Sequence, residues 1–254
     1  MSNAKLKFVQ KLHQKKYRTQ EKLFLAEGLR LCEMALKFSC VEFGFYTEEF
    51  LKDMRAKNLV AELEKISTMY KISTAEFSKI SETETPQGIL LVVKQNLKSA
   101  EEVLQKNFVV VLDDVQDPGN VGTILRTAEA FDCGIILLEG SADIFNSKVV
   151  RSSMGAVFSA SAVNMTRKNF SNLMREKNFE IVSTALDNTA EIYFNHEFKN
   201  KTAIVFGNEG EGVSAEILNA SKKIFIPMFG TAESLNVATA AAIIISEAVR
   251  QKNF

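Results

Sequence analysis

Apolar residues in this chain fall into two successive patterns. Up to about residue 95, runs such as "VEFGFYT" (41–47), "STMYKIS" (67–73) and "GILLVVK" (88–94) are separated by charged helical stretches, for example residues 48–64. Short β-branched and aromatic runs bounded by polar residues read as strands, so this block is expected to be a small α/β domain. From residue 108 the runs become nearly continuous: "FVVVLDDV", "GIILLEG", "FSASAV", "FEIVSTAL", "TAIVFGNE" and "KKIFIPMF". Strands of that kind alternating with helical patterns predict a mostly parallel sheet covered on both faces. The intervening "QNLKSAEEVLQKN" is polar and weakly amphipathic. The pattern therefore predicts an N-terminal α/β domain over residues 1–95, a linker over 96–106 and a second α/β domain over 107–254. No internal repeat or low-complexity tract is visible.

Composition changes this picture little. A chain of 254 residues, 46% hydrophobic, has ample material for two ordinary cores. Lys plus Arg and Asp plus Glu are equal at 31 each, so the overall charge selects no partner. Its distribution does: residues 1–30 carry eight Lys and Arg against two Glu, a local excess that attracts phosphates. Three cysteines without CxxC spacing and two distant histidines predict neither a metal site nor a disulfide framework. With no signal-like segment and no apolar run of about 18 residues, the expected location is a reducing cytoplasm, away from membranes.

The candidate chemistry lies at the predicted strand ends, where ligands of parallel sheets bind. In the first loop, Asp117-Pro118-Gly119-Asn120 precedes a helix, with Asn120 the expected N-cap. Ile124, Ala128 and Phe131 lie at i, i+4 and i+7 and are expected to face the core, which leaves Arg126 free for a ligand or for solvent. The second loop, "GNEGEGVS" (207–214), has three glycines in six positions and precedes a helix expected to be capped by Ser214. Lacking a following Lys-Ser/Thr and the GxGxxG spacing, and carrying two glutamates, it is no polyphosphate cradle. The third, "IPMFGTAESLN" (226–236), turns at Gly230 and enters a helix apolar almost all round from Val237 to Ile245, which implies full burial or a subunit interface. Singly, each loop also fits an ordinary turn before a helix, with Ser234 and Asn236 as caps.

Together, in this order and spacing, the three loops resemble the signature motifs of the SpoU (TrmH-like) family of RNA ribose 2′-O-methyltransferases, within the SPOUT superfamily. The matching residues are Asn120-x-Gly-x-x-x-Arg126, Gly207-x-Glu209-x-x-Gly212-x-Ser214, and Ile226-Pro227-Met228-x-Gly230 with Ser234-Leu235-Asn236-Val237. With "RSSMGAVF" (151–158) the likeness spans residues 107–254, and "KYRTQEKLFLAEGLRL" (16–31) is similar to the start of the family's substrate-binding domain. The resemblance implies a deep trefoil knot, a homodimer whose interface adjoins the site, and S-adenosylmethionine as cofactor. It also implies an RNA substrate, ribosomal RNA being favoured over transfer RNA by the separate N-terminal domain.

On this footing Gly207, Asn208, Gly212, Ile226, Met228, Gly230, Ser234 and Leu235 are expected to contact the cofactor. Asn120, Arg126, Glu209, Ser234 and Asn236 are expected to serve catalysis. Arg126 is expected to bind the phosphate beside the target ribose and to stabilise the developing alkoxide, because a guanidinium keeps its proton in proteins. Lys11, Lys15, Lys16 and Arg18 are the candidate contacts to RNA phosphates. Two other readings stand beside this one: an inactive RNA-binding or ribosome-assembly factor, and an adenine-nucleotide enzyme, which the missing phosphate-binding Lys disfavours.

Overall fold

The computed structural model describes residues 3–38 and 40–253. In chain order the first elements are α1 (Asn3–Leu12), α2 (Lys15–Glu21), β1 (Leu23–Glu27), α3 (Leu29–Lys37), β2 (Val41–Thr47), α4 (Met54–Ile66), β3 (Thr68–Ile72), α5 (Thr74–Phe77) and β4 (Ile89–Lys94). There follow α6 (Ala100–Val103), β5 (Phe108–Asp113), α7 (Pro118–Ala130), β6 (Gly134–Leu137), α8 (Ser147–Ser152), β7 (Ala162–Asn164), α9 (Arg167–Lys177) and β8 (Glu180–Thr184). The last are β9 (Glu191–Ile192), β10 (Thr202–Gly207), α10 (Ala215–Leu218), β11 (Lys222–Phe225) and α11 (Val237–Asn253).

The chain divides into two compact units. One consists of residues 1–96 with 143–159, the latter a segment that the sequence pattern had assigned to the C-terminal domain. Its sheet has the order β1-β4-β2-β3, with β4 antiparallel to both β1 and β2 and β3 parallel to β2. β4 is central, and its first five residues are buried, as its unbroken apolar run requires. Leu6, Val9 and Leu12 of α1 close one core with Leu25, Phe45 and Leu90. The segment 143–159 joins this unit through aromatic contacts: the Phe24 ring lies 4.8 Å from that of Phe145 and 5.8 Å from that of Phe158.

The other unit, residues 97–142 and 160–254, carries a seven-stranded sheet of order β7-β6-β5-β10-β8-β11-β9, and every pairing in it is parallel. Central strands β5 and β10 are buried at all six positions, which is why their sequences do not alternate. Phe170 and Met174 of α9 pack on one face of the sheet with Val109, Val111 and Val205. The expected linker carries a short helix: a Ser99–Glu102 capping box starts α6, and Val103 is buried in the same core. "FSASAV" forms a strand only at its end, since Ala156–Phe158 is a 3-10 turn; β1 and the two-residue β9 were not predicted.

Candidate active site

Register brings the loops together. β10 pairs with β5 so that Gly207 stands beside Asp113, and β8, next in order, pairs with β11 so that Thr184 stands beside Ile224. The turns after β5, β10, β8 and β11 thus leave one edge of the sheet in succession, at the strand C-terminal ends.

The first turn differs from expectation in one respect. Asp117, not Asn120, is the N-cap of α7: its carboxylate accepts from the Asn120 amide at 2.9 Å, with Pro118 at the first helical position. The Asn120 side chain is thereby released for a larger task. Its Nδ2 donates to Glu209 Oε1 at 2.8 Å, and its Oδ1 accepts from Asn236 Nδ2 at 2.9 Å. Asn236 Oδ1 in turn accepts from the Ala238 and Thr239 amides, capping α11. One chain of side-chain hydrogen bonds therefore ties the three loops, one residue from each. Asn236 combines a capping role with a site role, both of which the sequence had left open.

The second loop folds back on itself. Asn208 and Gly212 exchange backbone hydrogen bonds of 3.0 and 2.9 Å, so closely that a Cβ at Gly207 would lie 2.2 Å from the Gly212 carbonyl carbon. Gly212 is needed for its φ of +74°, whereas Gly210 meets nothing nearer than 3.6 Å. Asn208 organises the bend: Oδ1 accepts from the Gly210 and Glu211 amides, and Nδ2 donates to the Asp114 carbonyl at 3.1 Å. Ser214 holds the N-cap position of α10, but its side chain makes no capping bond and its hydroxyl is buried without a partner among the described residues.

These loops enclose a cleft of about 620 Å³. Leu186, Ile226, Met228, Leu235 and Ile244 give it apolar walls, and Thr184, Glu209, Ser234 and Asn236 polar edges. Among the described residues, the backbone from Met228 to Leu235 makes no hydrogen bond, so its amides and carbonyls are available to a ligand. Beside the cleft wall, hydrogen bonds from Lys223 and Thr189 hold the Asp187 carboxyl down at about 2 and so tie the turn that carries Leu186.

Seven of the eight residues expected to contact a cofactor line the cleft: Gly207, Asn208, Gly212, Ile226, Met228, Ser234 and Leu235. Gly230 does not, and a Cβ there would meet nothing within 4 Å. Arg126 is exposed on α7, its side chain makes no hydrogen bond or ion pair with a described residue, and it does not line the cleft. Phe131, expected in the core, is the C-cap of α7 and 37% exposed; Ile124 and Ala128 are buried as expected.

Lys11, Lys15 and Lys16 are exposed, with Lys11 and Lys16 flanking the Tyr17 ring at 5.6 and 5.9 Å. Arg18 corrects the phosphate-contact expectation. It is 4% exposed, donates to Asp143 at 2.7 and 3.0 Å and to the Leu12 and His13 carbonyls, and has no face left for RNA. Residues that motif spacing did not reveal include Asp113 and Asp114, which accept hydrogen bonds from the second loop, and Arg167, which bonds Asp113. The doublet of aspartates after an apolar strand was the available signal.

A parallel sheet whose end-loops enclose a cleft with apolar walls and free backbone polar groups is suited to a small molecule with both apolar and polar parts. Comparison with known proteins narrows this, for the chain belongs to the SpoU rRNA Methylase family, matched over residues 107–246, with an MRM3-like substrate binding domain matched over residues 3–91. It is 38% identical over 248 residues to the 23S rRNA (guanosine(2553)-2′-O)-methyltransferase RlmP of Bacillus subtilis, covering 96% of this chain and 95% of that one. To the tRNA (guanosine(18)-2′-O)-methyltransferase of Aquifex aeolicus it is 38% identical over 173 residues, covering 64% of this chain and 79% of that one. Among solved structures, the SpoU methyltransferase AviRb from Streptomyces viridochromogenes in complex with AdoMet superposes with a TM-score of 0.88 at 27% identity, covering 99% and 98% of the two chains. The AdoMet-bound rRNA methyltransferase from Sinorhizobium meliloti gives 0.86 at 29%, covering 98% and 95%.

The protein is thus an S-adenosylmethionine-dependent methyltransferase, and its cleft fits that cofactor. Apolar walls suit the adenine face, free backbone groups of the third loop suit the base edge, and the polar side chains at the margin suit the ribose and the amino acid tail.

Proposed function

We propose that the protein methylates a ribose 2′-hydroxyl of ribosomal RNA, in the large subunit as the name of the Bacillus subtilis relative states. The observation that carries the chemistry is the cleft stitched at its mouth by Asn120, Glu209 and Asn236. Substrate choice rests on extent: the rRNA relative matches both units, the tRNA relative only 64% of the chain. A cytoplasmic location accords with that substrate.

S-adenosylmethionine, when bound, supplies a methyl group already activated on a sulfonium. The protein has to orient the ribose hydroxyl and to stabilise negative charge as its proton leaves. Gly207, Asn208, Gly212, Ile226, Met228, Ser234 and Leu235 hold the cofactor, while Glu209 and Asn236 lock the loops through Asn120. Arg126 acts as an electrostatic partner: it binds the phosphate next to the target and stabilises the developing alkoxide, the proton passing to phosphate or water. Its unpaired exposure away from the cleft lining supports delivery to the cleft of a second copy, in a homodimer built on the half-buried apolar residues of α11, Ala242 and Ile243 among them. A trefoil knot formed by the second and third loops belongs to the same proposal. Lys11, Lys15 and Lys16 contribute salt-sensitive phosphate contacts.

The test is transfer of labelled methyl to ribosomal RNA and, separately, to transfer RNA, each from a strain lacking the gene, followed by nucleoside analysis. The expected product is a 2′-O-methylnucleoside in 23S RNA. Label confined to transfer RNA would overturn the substrate, and a methylated base would overturn the chemistry.

A further inference from the structure

β5 ends at Asp113, Asp114 follows it directly, and the two hold opposite ends of the glycine-rich loop. Asp114, with φ +59°, offers its carbonyl to Asn208 at the loop entrance. Asp113 accepts the Ser214 amide at 2.8 Å on Oδ2, at the loop exit. Its side chain is only 1% exposed, so the carboxylate needs a partner on its other oxygen. Arg167 provides it: Nε donates to Asp113 Oδ1 at 2.6 Å, while Nη2 donates to the Glu139 carbonyl at 3.2 Å. The Glu139 carboxylate also accepts the Arg167 backbone amide at 2.7 Å, fixing the start of α9.

We propose that Arg167 is a positioning residue for methyl transfer: it holds the Asp113 carboxylate so that its second oxygen grips the Ser214 amide and sets the exit of the glycine-rich loop over the cofactor cleft. Arg167 does not line that cleft, and it reaches the loop through Asp113. The proposal rests on the reading of the cleft as the S-adenosylmethionine site.

The geometry makes an unusual prediction about a pair of substitutions. Arg167→Met leaves a buried carboxylate that turns from the Ser214 amide toward water. Asp113→Asn alone sets an amide NH2 against one of two donors, Arg167 or Ser214 N–H, and so also loosens the loop. Combined, the two changes remove both charges, and the Asn carbonyl keeps the Ser214 amide. The double variant should therefore bind better than either single one, a coupling that a mere structural prop for α9 would not show.

Two readouts follow, on the intact protein. Isothermal titration with S-adenosylhomocysteine should show affinity reduced about tenfold in Arg167→Met and recovered to within about threefold of wild type in the double variant. Hydrogen exchange of the free protein should show faster amide exchange at Val213 and Ser214 in Arg167→Met, slowed again in the double variant. Arg167→Lys, which keeps the charge without the fork, should fall between; it stands in if Asp113→Asn alone fails to fold. Wild-type affinity and exchange in Arg167→Met, or defects that Asp113→Asn does not relieve, would overturn the proposal. Failure of wild type to bind S-adenosylhomocysteine would overturn the reading of the cleft, and the exchange measurements would still decide the clamp.

Discussion

Neighbours in sequence, Lys16 and Arg18 carry the same charge into opposite surroundings. Lys16 is exposed beside Tyr17, whereas the Arg18 guanidinium is enclosed by Asp143 and two backbone carbonyls. Truncating one member of a buried, hydrogen-bonded ion pair strands the other, so Arg18→Ala is expected to lower stability by about 3 kcal/mol in urea unfolding. Lys15→Ala and Lys16→Ala should leave unfolding unchanged and instead weaken RNA binding, the loss shrinking as salt rises. Equal unfolding curves for all three variants would remove Arg18 from the fold's support. A count of basic residues cannot separate these cases, because Asp143 lies 125 positions away in the chain. Asn120 was misjudged for a different reason. Its motif was legible, but the cap went to Asp117 because Pro118 takes the first helical position, and a proline there places the cap on the residue before it.

Among elements, the glycine-rich loop shows which features of a motif are conformational and which steric. A methyl group at Gly207 would collide with the Gly212–Val213 backbone at 2.2 Å, while one at Gly230 would enter open space. Gly207→Ala is therefore expected to weaken S-adenosylhomocysteine binding by about a hundredfold by displacing the loop, and Gly230→Ala to leave affinity within about twofold. Calorimetric titration of the two variants checks this, and equal affinities would show that the loop adapts. The strands that flank the loop were legible: β5 and β10 are buried on both faces, and such burial writes itself as an unbroken apolar run. β9 was not, since its two residues pair only with β11 at the sheet edge and carry no periodicity. "FSASAV" misled in the other direction, because Phe158 is buried by a 3-10 turn rather than by a strand. Within the site, the three motifs could be read because each is local in sequence. The Asp113–Arg167 clamp could not, since it joins positions 54 apart that only the folded chain brings together.

The assembly of the whole molecule decides which cleft Arg126 serves. Within the chain its side chain stands unpaired on α7 and outside the cleft lining. α11, which packs on α7, buries Ala241, Ile244, Ile245 and Ala248 but leaves Ala242 and Ile243 only half covered. In the proposed homodimer a second copy on that face covers these apolar groups and serves its cleft with this chain's Arg126. Arg126→Ala should then retain cofactor affinity and lose methyl transfer by at least about a hundredfold, as removal of a transition-state contact does. Gly207→Ala should fail for the opposite reason, for want of cofactor. Mixing the two inactive proteins, with exchange of subunits, separates the possibilities. If Arg126 crosses, each mixed dimer has one intact cleft served by one intact arginine, and activity should return to about a quarter of the wild-type level, from half of the dimers with one of two sites restored. If it acts within its own chain, no cleft in any dimer holds both functions and the mixture stays inactive. Light scattering on the same samples ties the result to assembly: a monomeric mass for the active wild-type protein would remove the crossing arginine and its interface together, and with them the reason for the apolar face of α11.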